Sequence, residues 1–150
     1  MVDKPYSAAC ERNRDPILEV LLQHFADRTR VLEIGSGTGQ HAVYFAGRLS
    51  NLIWQPADRL DYLPGIGAWL DDAKLPNVLP PLVLDVNERW PQARYDAIFS
   101  ANTLHIMSWP EVEQMFARLP EVMTADAKLA IYGPFNYDGR FTSASNADFD

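Results

Sequence analysis

The chain has 150 residues, of which 47% are hydrophobic and 22% are charged, and this size and balance fit a single globular domain over residues 1–150. Its formal net charge is −7 and its Lys and Arg residues form no cluster, which argues against a nucleic-acid or anionic membrane surface. The single cysteine, Cys10, excludes an internal disulfide. The sequence shows no secretory signal and no apolar stretch of membrane-spanning length. We therefore expect a cytoplasmic protein.

Helices and strands alternate through the first two thirds of the chain. Asp15 as N-cap and Pro16 at the first helical position predict a helix that runs to Phe25. A short apolar strand at 31–34 and a helix at about 40–47 follow, then a strand at 52–57 and a helix after Pro64. Two further strands are predicted at 82–85 and 95–100. This alternation is typical of an α/β protein with a doubly wound, mostly parallel sheet.

The last third of the chain continues the pattern. Ser108 and Glu111 have capping-box spacing and predict a helix, which Pro120 ends, leaving a separate turn at 121–123. A fifth strand is predicted at 128–134. This strand would leave an open sheet edge, and residues 145–150 read as the start of another element. We therefore expect the sequence to be the N-terminal part of a longer chain, truncated at its C-terminus.

A glycine-rich loop follows the first strand, and it consists of Gly35, Ser36, Gly37 and Gly39 with their neighbours. Glycine permits positive φ and a close approach of the backbone to a ligand. A dinucleotide fingerprint would place its third glycine at position 40, where the chain has Gln40. Glu33, where the strand enters the loop, would repel a pyrophosphate but suit a ligand with an ammonium group. S-adenosylmethionine has an α-amine and a sulfonium but no phosphate, so we expect it as the cofactor, although the glycines alone could form only a tight turn.

Acidic residues follow the next two strands. Asp58 lies 19 residues beyond Gly39, about the interval at which an acid meets ribose hydroxyls in such folds. Asp85, with Val86, is expected beside the adenine, where its carboxylate would accept from the exocyclic amine. Either acid could instead cap the segment that follows it. Because ligands of doubly wound sheets bind outside the carboxyl ends of the strands, these residues are expected to converge.

The reacting end of the predicted site involves later residues. Methyl transfer from a sulfonium is an in-line displacement that requires neither a metal nor a covalent nucleophile. His105 is the candidate base, with Asn102 beside it after the fourth strand and Tyr132 on the acceptor side after the fifth. Alternatively, His105 is a buried histidine bonded to a backbone carbonyl, and Tyr132 is ordinary packing at a strand end. His41 is expected to pack or to face solvent.

Together these residues resemble the class I S-adenosylmethionine-dependent methyltransferases, with Glu33 and the glycine loop as the first motif, Asp58 as the second, Asp85 as the third and Asn102 at the fourth. Three segments, at 8–17, 100–106 and 132–135, are similar to a small domain-of-unknown-function family that includes methyltransferase-like protein 26. The resemblance covers nearly the whole chain. It implies a Rossmann-like fold with strand order 3-2-1-4-5, from which the final antiparallel pair of strands is missing here.

The resemblance also implies how the site is used. The N-terminal segment would fold over the cofactor and bring Arg12 and Asn13 near its methionine end, although Arg12 could be only a solvated charge. The sequence lacks the Asn/Asp-Pro-Pro-aromatic motif of methyltransferases that act on nucleic-acid bases, so a small-molecule acceptor and no nucleic-acid partner are expected. Residues 124–127 stand where the superfamily has a Pro-Gly-Gly turn, so the geometry of this turn is not predicted from the resemblance. The alternative functions are a nicotinamide-dependent oxidoreductase and a non-catalytic S-adenosylmethionine-binding protein. The sequence does not determine the oligomeric state, and a homodimer is allowed.

Overall fold

The computed structural model describes residues 4–88, 90–101 and 107–133, and the backbone of residues 135–137 and 140–142. The helices of this part of the chain are α1 (Ala8–His24), α2 (Gln40–Arg48), α3 (Leu63–Ala73) and α4 (Trp109–Arg118). The strands are β1 (Arg30–Ile34), β2 (Ile53–Asp58), β3 (Leu82–Val83), β4 (Tyr95–Ala101), β5 (Met123–Tyr132), β6 (Phe135–Tyr137) and β7 (Arg140–Thr142). Within these residues, no helix is long and apolar enough to span a membrane.

Five of these strands form one parallel sheet in the order β3-β2-β1-β4-β5. The predicted fold class and strand order are therefore confirmed. The neighbours β1 and β4 lie at the centre, where the strand order reverses, and in such sheets the ligand crevice opens at their carboxyl ends. β6 and β7 pair antiparallel in a separate two-stranded sheet that the sequence analysis did not predict.

The core consists of one apolar cluster on each face of the sheet, because successive side chains of a strand point to opposite faces. On one face, Phe45 of α2 packs against Trp54 and Phe99 of the sheet, and the three ring centroids lie 5.5 to 5.9 Å apart. Ile17 and Leu21 of α1 belong to the same cluster. On the other face, Leu32 and Met115 belong to the cluster that α4 covers. The alternation places Val31 and Glu33 of β1 on the face of the aromatic cluster.

Helix α1 begins earlier than the sequence predicts. Its N-cap is Ser7, whose Oγ accepts from the Cys10 amide at 3.4 Å, and Pro16 lies inside the helix. The predicted N-cap at Asp15 is therefore wrong. Proline removes one intrahelical hydrogen bond, and the turns before it contact the start of α2, where the Ser7 amide donates to Gln40 Oε1 at 2.6 Å and Asn13 Oδ1 lies 2.9 Å from His41 Nε2.

The later elements follow the sequence more closely. The predicted capping box is confirmed, since Ser108 Oγ accepts from the Glu111 amide and the Glu111 carboxylate accepts from the Ser108 amide. A 3₁₀ turn over Leu119–Val122 follows α4. β3 is shorter than predicted, and β5 starts five residues early because Met123 pairs with Tyr95 before a register shift. Residues 124–127 are therefore extended.

Candidate functional site

The glycine loop turns the chain from β1 into α2 through three residues with positive φ: Gly35 at 78°, Gly37 at 60° and Gly39 at 97°. Other residues adopt this conformation only at a cost. A Cβ at Gly39 would also lie 3.1 Å from the Cα of Ile66, so glycine lets α3 pack against the loop. At Gly37 a Cβ would meet no atom within 4 Å. The two glycines therefore serve different purposes, packing at Gly39 and loop conformation beside open space at Gly37.

Glu33 lies behind this loop and is 1% exposed. Its Oε1 accepts from Ser36 Oγ and from the indole Nε1 of Trp54, both at 3.0 Å, and Ser36 Oγ in turn accepts from the Ala57 amide at 3.0 Å. Burial raises the Glu33 pKa to about 7, against the lowering effect of the two hydrogen bonds. Glu33 is not among the residues that line the cavity in front of the loop. The structure thus places this acid where it ties the loop to β2.

Asp58, at the end of β2, closes the loop from the other side. Its Oδ2 accepts from the Gly37 amide at 2.8 Å and its Oδ1 from the Arg59 amide at 2.7 Å. Burial raises the Asp58 pKa, and these backbone hydrogen bonds lower it. The N-cap of α3 is Tyr62, without a side-chain cap, so Asp58 does not serve as the helix cap that the sequence allowed.

A cavity of about 430 Å³ opens at the carboxyl ends of the central strands. Its walls bring together six of the predicted cofactor residues, namely Gly35, Ser36, Gly37, Asp58, Asp85 and Val86. Asp85 also accepts from the Asn87 amide at 3.0 Å, so it caps its own turn, as the sequence allowed, while it lines the cavity. The size of the cavity is in the range of small-molecule and cofactor sites.

Further cavity residues were not selected from the sequence as ligands. Ser7 and Cys10 line the cavity from the start of α1, Tyr62 and Glu111 line it from the segments after β2 and β4, and His41 lines it from α2. His41 is buried and stacks on Phe45, as a packing residue would. Burial lowers the His41 pKa to about 4, although a hydrogen bond with the Cys10 backbone acts in the opposite direction.

Four other predicted residues do not line this cavity. Gly39 packs against α3, Arg12 is exposed, and Asn13 Oδ1 lies 2.9 Å from His41 Nε2. Tyr132 lies at a second, small cavity beside Ile17 and packs on the aromatic core cluster. No group of three or more His, Cys, Asp or Glu side chains within the described residues is arranged to hold a metal ion.

Residues 4–150 match the family described as Protein of unknown function (DUF938). The chain belongs to this family. Among solved structures, the DUF938 chain is similar to the S-adenosylmethionine-dependent methyltransferase SibL in its apo form, with a TM-score of 0.78 and 21% identity over 89% of this chain and 38% of that one.

Two other structures show the same fold. One is coclaurine N-methyltransferase bound to N-methylheliamine and SAH (TM-score 0.68, 16% identity, 89% of this chain and 39% of that one). The other is a putative S-adenosyl-L-methionine-dependent methyltransferase from Methanococcus maripaludis (TM-score 0.69, 17% identity, 90% of this chain and 68% of that one). The DUF938 chain thus has the class I methyltransferase fold, and it spans about two fifths of the length of SibL and of coclaurine N-methyltransferase.

The predicted residues at the reacting end, Asn102 and His105, lie outside the described residues of the DUF938 chain. Their roles as cofactor contact and base stay predictions. The narrower resemblance to the group that includes methyltransferase-like protein 26 also stays a prediction.

Proposed function

We propose that this DUF938 chain binds S-adenosylmethionine in the cavity in front of the glycine loop and transfers its methyl group to a small-molecule acceptor. The observation that carries the proposal is the placement of Asp58, which faces the cavity while it also accepts from the Gly37 amide. The similarity of the fold to methyltransferases, one of them bound to SAH and N-methylheliamine, supports it.

The hydrogen bonds of the loop favour a ligand without phosphate. Gly35 and Ser36 donate their amides to the Ala57 carbonyl, both at 2.9 Å, and the Gly39 amide donates to the Ser36 carbonyl at 3.0 Å. The Gly37 amide donates to Asp58. A pyrophosphate is bound by free backbone amides at such a turn, and these four are already used within the chain. A nicotinamide dinucleotide is therefore the weaker candidate.

Asp58 retains the capacity to bind a ribose. A carboxylate has about four lone-pair positions, and the Gly37 and Arg59 amides occupy two of them. Two ribose hydroxyls can donate to the remaining positions. Asp85 and Val86 line the same cavity, and we assign them to the adenine.

S-adenosylmethionine, when bound, would supply an electrophilic methyl group on its sulfonium. The chain's own task is then to hold donor and acceptor in line and to exclude water. We keep His105 as the candidate base, Asn102 as its neighbour and Tyr132 as a residue on the acceptor side. Glu33 would act by supporting the loop, and Arg12 and Asn13 belong to the segment that covers the site.

Calorimetry with S-adenosylhomocysteine and with NADH tests the cofactor. We expect binding of S-adenosylhomocysteine and a Kd at least about tenfold higher in Asp58→Ala, since a hydrogen bond to a charged group contributes roughly 1.5–3 kcal/mol. Asp61→Ala is the matched control, because Asp61 is an exposed acid three residues further on. If Asp58 binds the ribose, Asp58→Ala should raise the Kd of 2′-deoxy-S-adenosylhomocysteine by a smaller factor than that of the ribose compound, because one of the two donating hydroxyls is absent.

Each rival function gives a different result. NADH binding without any response to S-adenosylhomocysteine would overturn the proposal in favour of an oxidoreductase. Binding of S-adenosylhomocysteine without methylation of any acceptor in a metabolite extract supplied with labelled S-adenosylmethionine would favour a non-catalytic binding protein.

A further inference from the structure

The N-terminal strap, defined here as residues 4–13, forms one wall of the proposed cofactor cavity. Ser7, Ala9 and Cys10 line the cavity together with residues of the glycine loop. The residues of α1 that are buried in the core are Ile17 and Leu21, and both lie outside the strap. The strap therefore depends on its own contacts to stay over the cavity.

Gln40 makes the contact that joins the outer part of the strap, at Ser7, to the end of the glycine loop. Its Oε1 accepts from the Ser7 amide at 2.6 Å and from Thr38 Oγ1 at 3.0 Å. Position 40 is where a dinucleotide fingerprint would have its third glycine. Glycine has no side chain to accept these hydrogen bonds, so the departure from the fingerprint supplies one of the hydrogen bonds that hold the strap.

The outer end of the strap rests on α3. Trp69 Nε1 donates to the Pro5 carbonyl at 2.6 Å, and a Cβ at Gly65 would lie 2.8 Å from Pro5 Cγ. Lys4 Nζ lies 4.4 Å from the centroid of the Trp69 ring and 2.8 Å from Asp72. The Lys4–Asp72 pair is largely exposed and contributes little, so Trp69 and Gln40 are the two main fixed points of residues 4–7.

Pro16 separates the strap from the buried part of α1. Proline has no amide hydrogen, so the Arg12 carbonyl has no intrahelical donor at position 16. The second half of the helix is held by Ile17 and Leu21, whereas the first half is held by polar contacts such as Asn13 with His41. The break in hydrogen bonding lies between the half that is packed in the core and the half that covers the cavity.

We propose that Gln40 is a positioning residue that holds the strap over the cofactor, and that the strap leaves Gln40 each time the cofactor exchanges. This inference rests on the proposed function. It assigns to Gln40 a role in cofactor retention, through the Ser7 amide, and no contact with the reacting atoms.

Two substitutions separate the hydrogen bond from the size of the side chain. Gln40→Met keeps the length and removes the acceptor, whereas Gln40→Glu keeps an acceptor oxygen for Ser7 and Thr38. In the protein without ligand, we expect faster hydrogen exchange of the Ser7 amide in Gln40→Met by about two- to tenfold, the range for one net hydrogen bond. Stopped-flow dissociation of S-adenosylhomocysteine should accelerate by a similar factor. Gln40→Glu should match the wild type in both measurements.

The two measurements test separately whether Gln40 holds the strap and whether the strap retains the cofactor. Faster Ser7 exchange with unchanged dissociation of S-adenosylhomocysteine would overturn the proposal, as would equal behaviour of Gln40→Glu and Gln40→Met. A wild type that binds no S-adenosylhomocysteine would overturn the proposed function and cofactor retention together, and the exchange measurement would still decide whether Gln40 holds the strap. If Gln40→Met does not fold, Trp69→Phe loosens the strap from its other fixed point, and the same acceleration is expected.

Discussion

Replacing Glu33 by glutamine should stabilise the protein, and more so at alkaline pH. Glu33 is 1% exposed and its pKa is raised by burial from 4.5 to about 7. Between these two pH values the folded protein keeps a proton that the unfolded chain has lost, so the wild type loses stability as pH rises through this window. Glutamine is neutral throughout and keeps an amide oxygen that can accept from Ser36 and Trp54.

The magnitude follows from the two pKa values of Glu33. Ionisation of the unfolded carboxyl costs the wild type about 1 kcal/mol of folding free energy at pH 5 and about 3 kcal/mol at pH 8. The difference in stability between Glu33→Gln and the wild type should therefore grow by about 2 to 3 kcal/mol between these two pH values.

Urea unfolding of both proteins at several values between pH 5 and pH 8 measures this difference. Glu113→Gln is the control, because Glu113 is exposed on α4, and its curve should run parallel to that of the wild type. A Glu33→Gln curve that also runs parallel would refute the reasoning. Glu33→Gln also tests the contact with the ammonium group that the sequence predicts. If Glu33 acts only by supporting the loop, the variant should bind S-adenosylhomocysteine with nearly unchanged affinity. If Glu33 contacts the ligand directly, the variant should bind it more weakly.

Two further predictions concern the loop and the buried histidine. Gly39→Ala should lower the free energy of unfolding by about 2–4 kcal/mol, since it adds a close contact with Ile66 to the cost of positive φ, and Gly37→Ala by only about 1–2 kcal/mol. Urea denaturation compares the two, and equal losses would contradict the packing role of Gly39. Burial lowers the His41 pKa from 6.5 to about 4, so the unfolded chain takes up a proton at His41 before the folded protein does. Acidification from pH 7 to pH 5 should therefore lower the free energy of unfolding by about 2 kcal/mol through this residue. His41→Gln should flatten that decline, and an unchanged slope would argue against a neutral buried imidazole.

The fold could be predicted largely because its signals are local. The capping box of Ser108 and Glu111 and the apolar strands are visible within a few residues, and their alternation limits the topology to a few choices. The start of α1 depends on a different kind of information. Asp15-Pro16 is a good local start signal, but the contact that organises the first turns joins Ser7 to Gln40, 33 positions away. No short-range pattern contains it.

The location of the candidate site could also be predicted from local signals in the sequence. The glycine loop and the acids converge because parallel strands end at one edge of the sheet, so the place of Asp58 and Asp85 in the cavity wall could be predicted from their positions alone. The orientation of Glu33 follows from the two-residue period of a strand, which puts it on the same face as Val31, and this signal was present in the sequence. The cavity wall from Ser7 to Cys10 was not identified residue by residue, because it depends on where α1 begins.

Asp58 and Gln40 both accept hydrogen bonds from backbone amides of residues that line the cavity. In a phosphate-binding loop the backbone amides point at the ligand as donors. Here Asp58 occupies the Gly37 amide and Gln40 occupies the Ser7 amide. The cavity lining also includes three carboxylates, those of Asp58, Asp85 and Glu111, and Arg59 is the only Lys or Arg among the described residues that line it. Under the proposed function, such a lining favours ligands that donate hydrogen bonds and carry positive charge, as the hydroxyls, amine and sulfonium of S-adenosylmethionine do, over a pyrophosphate.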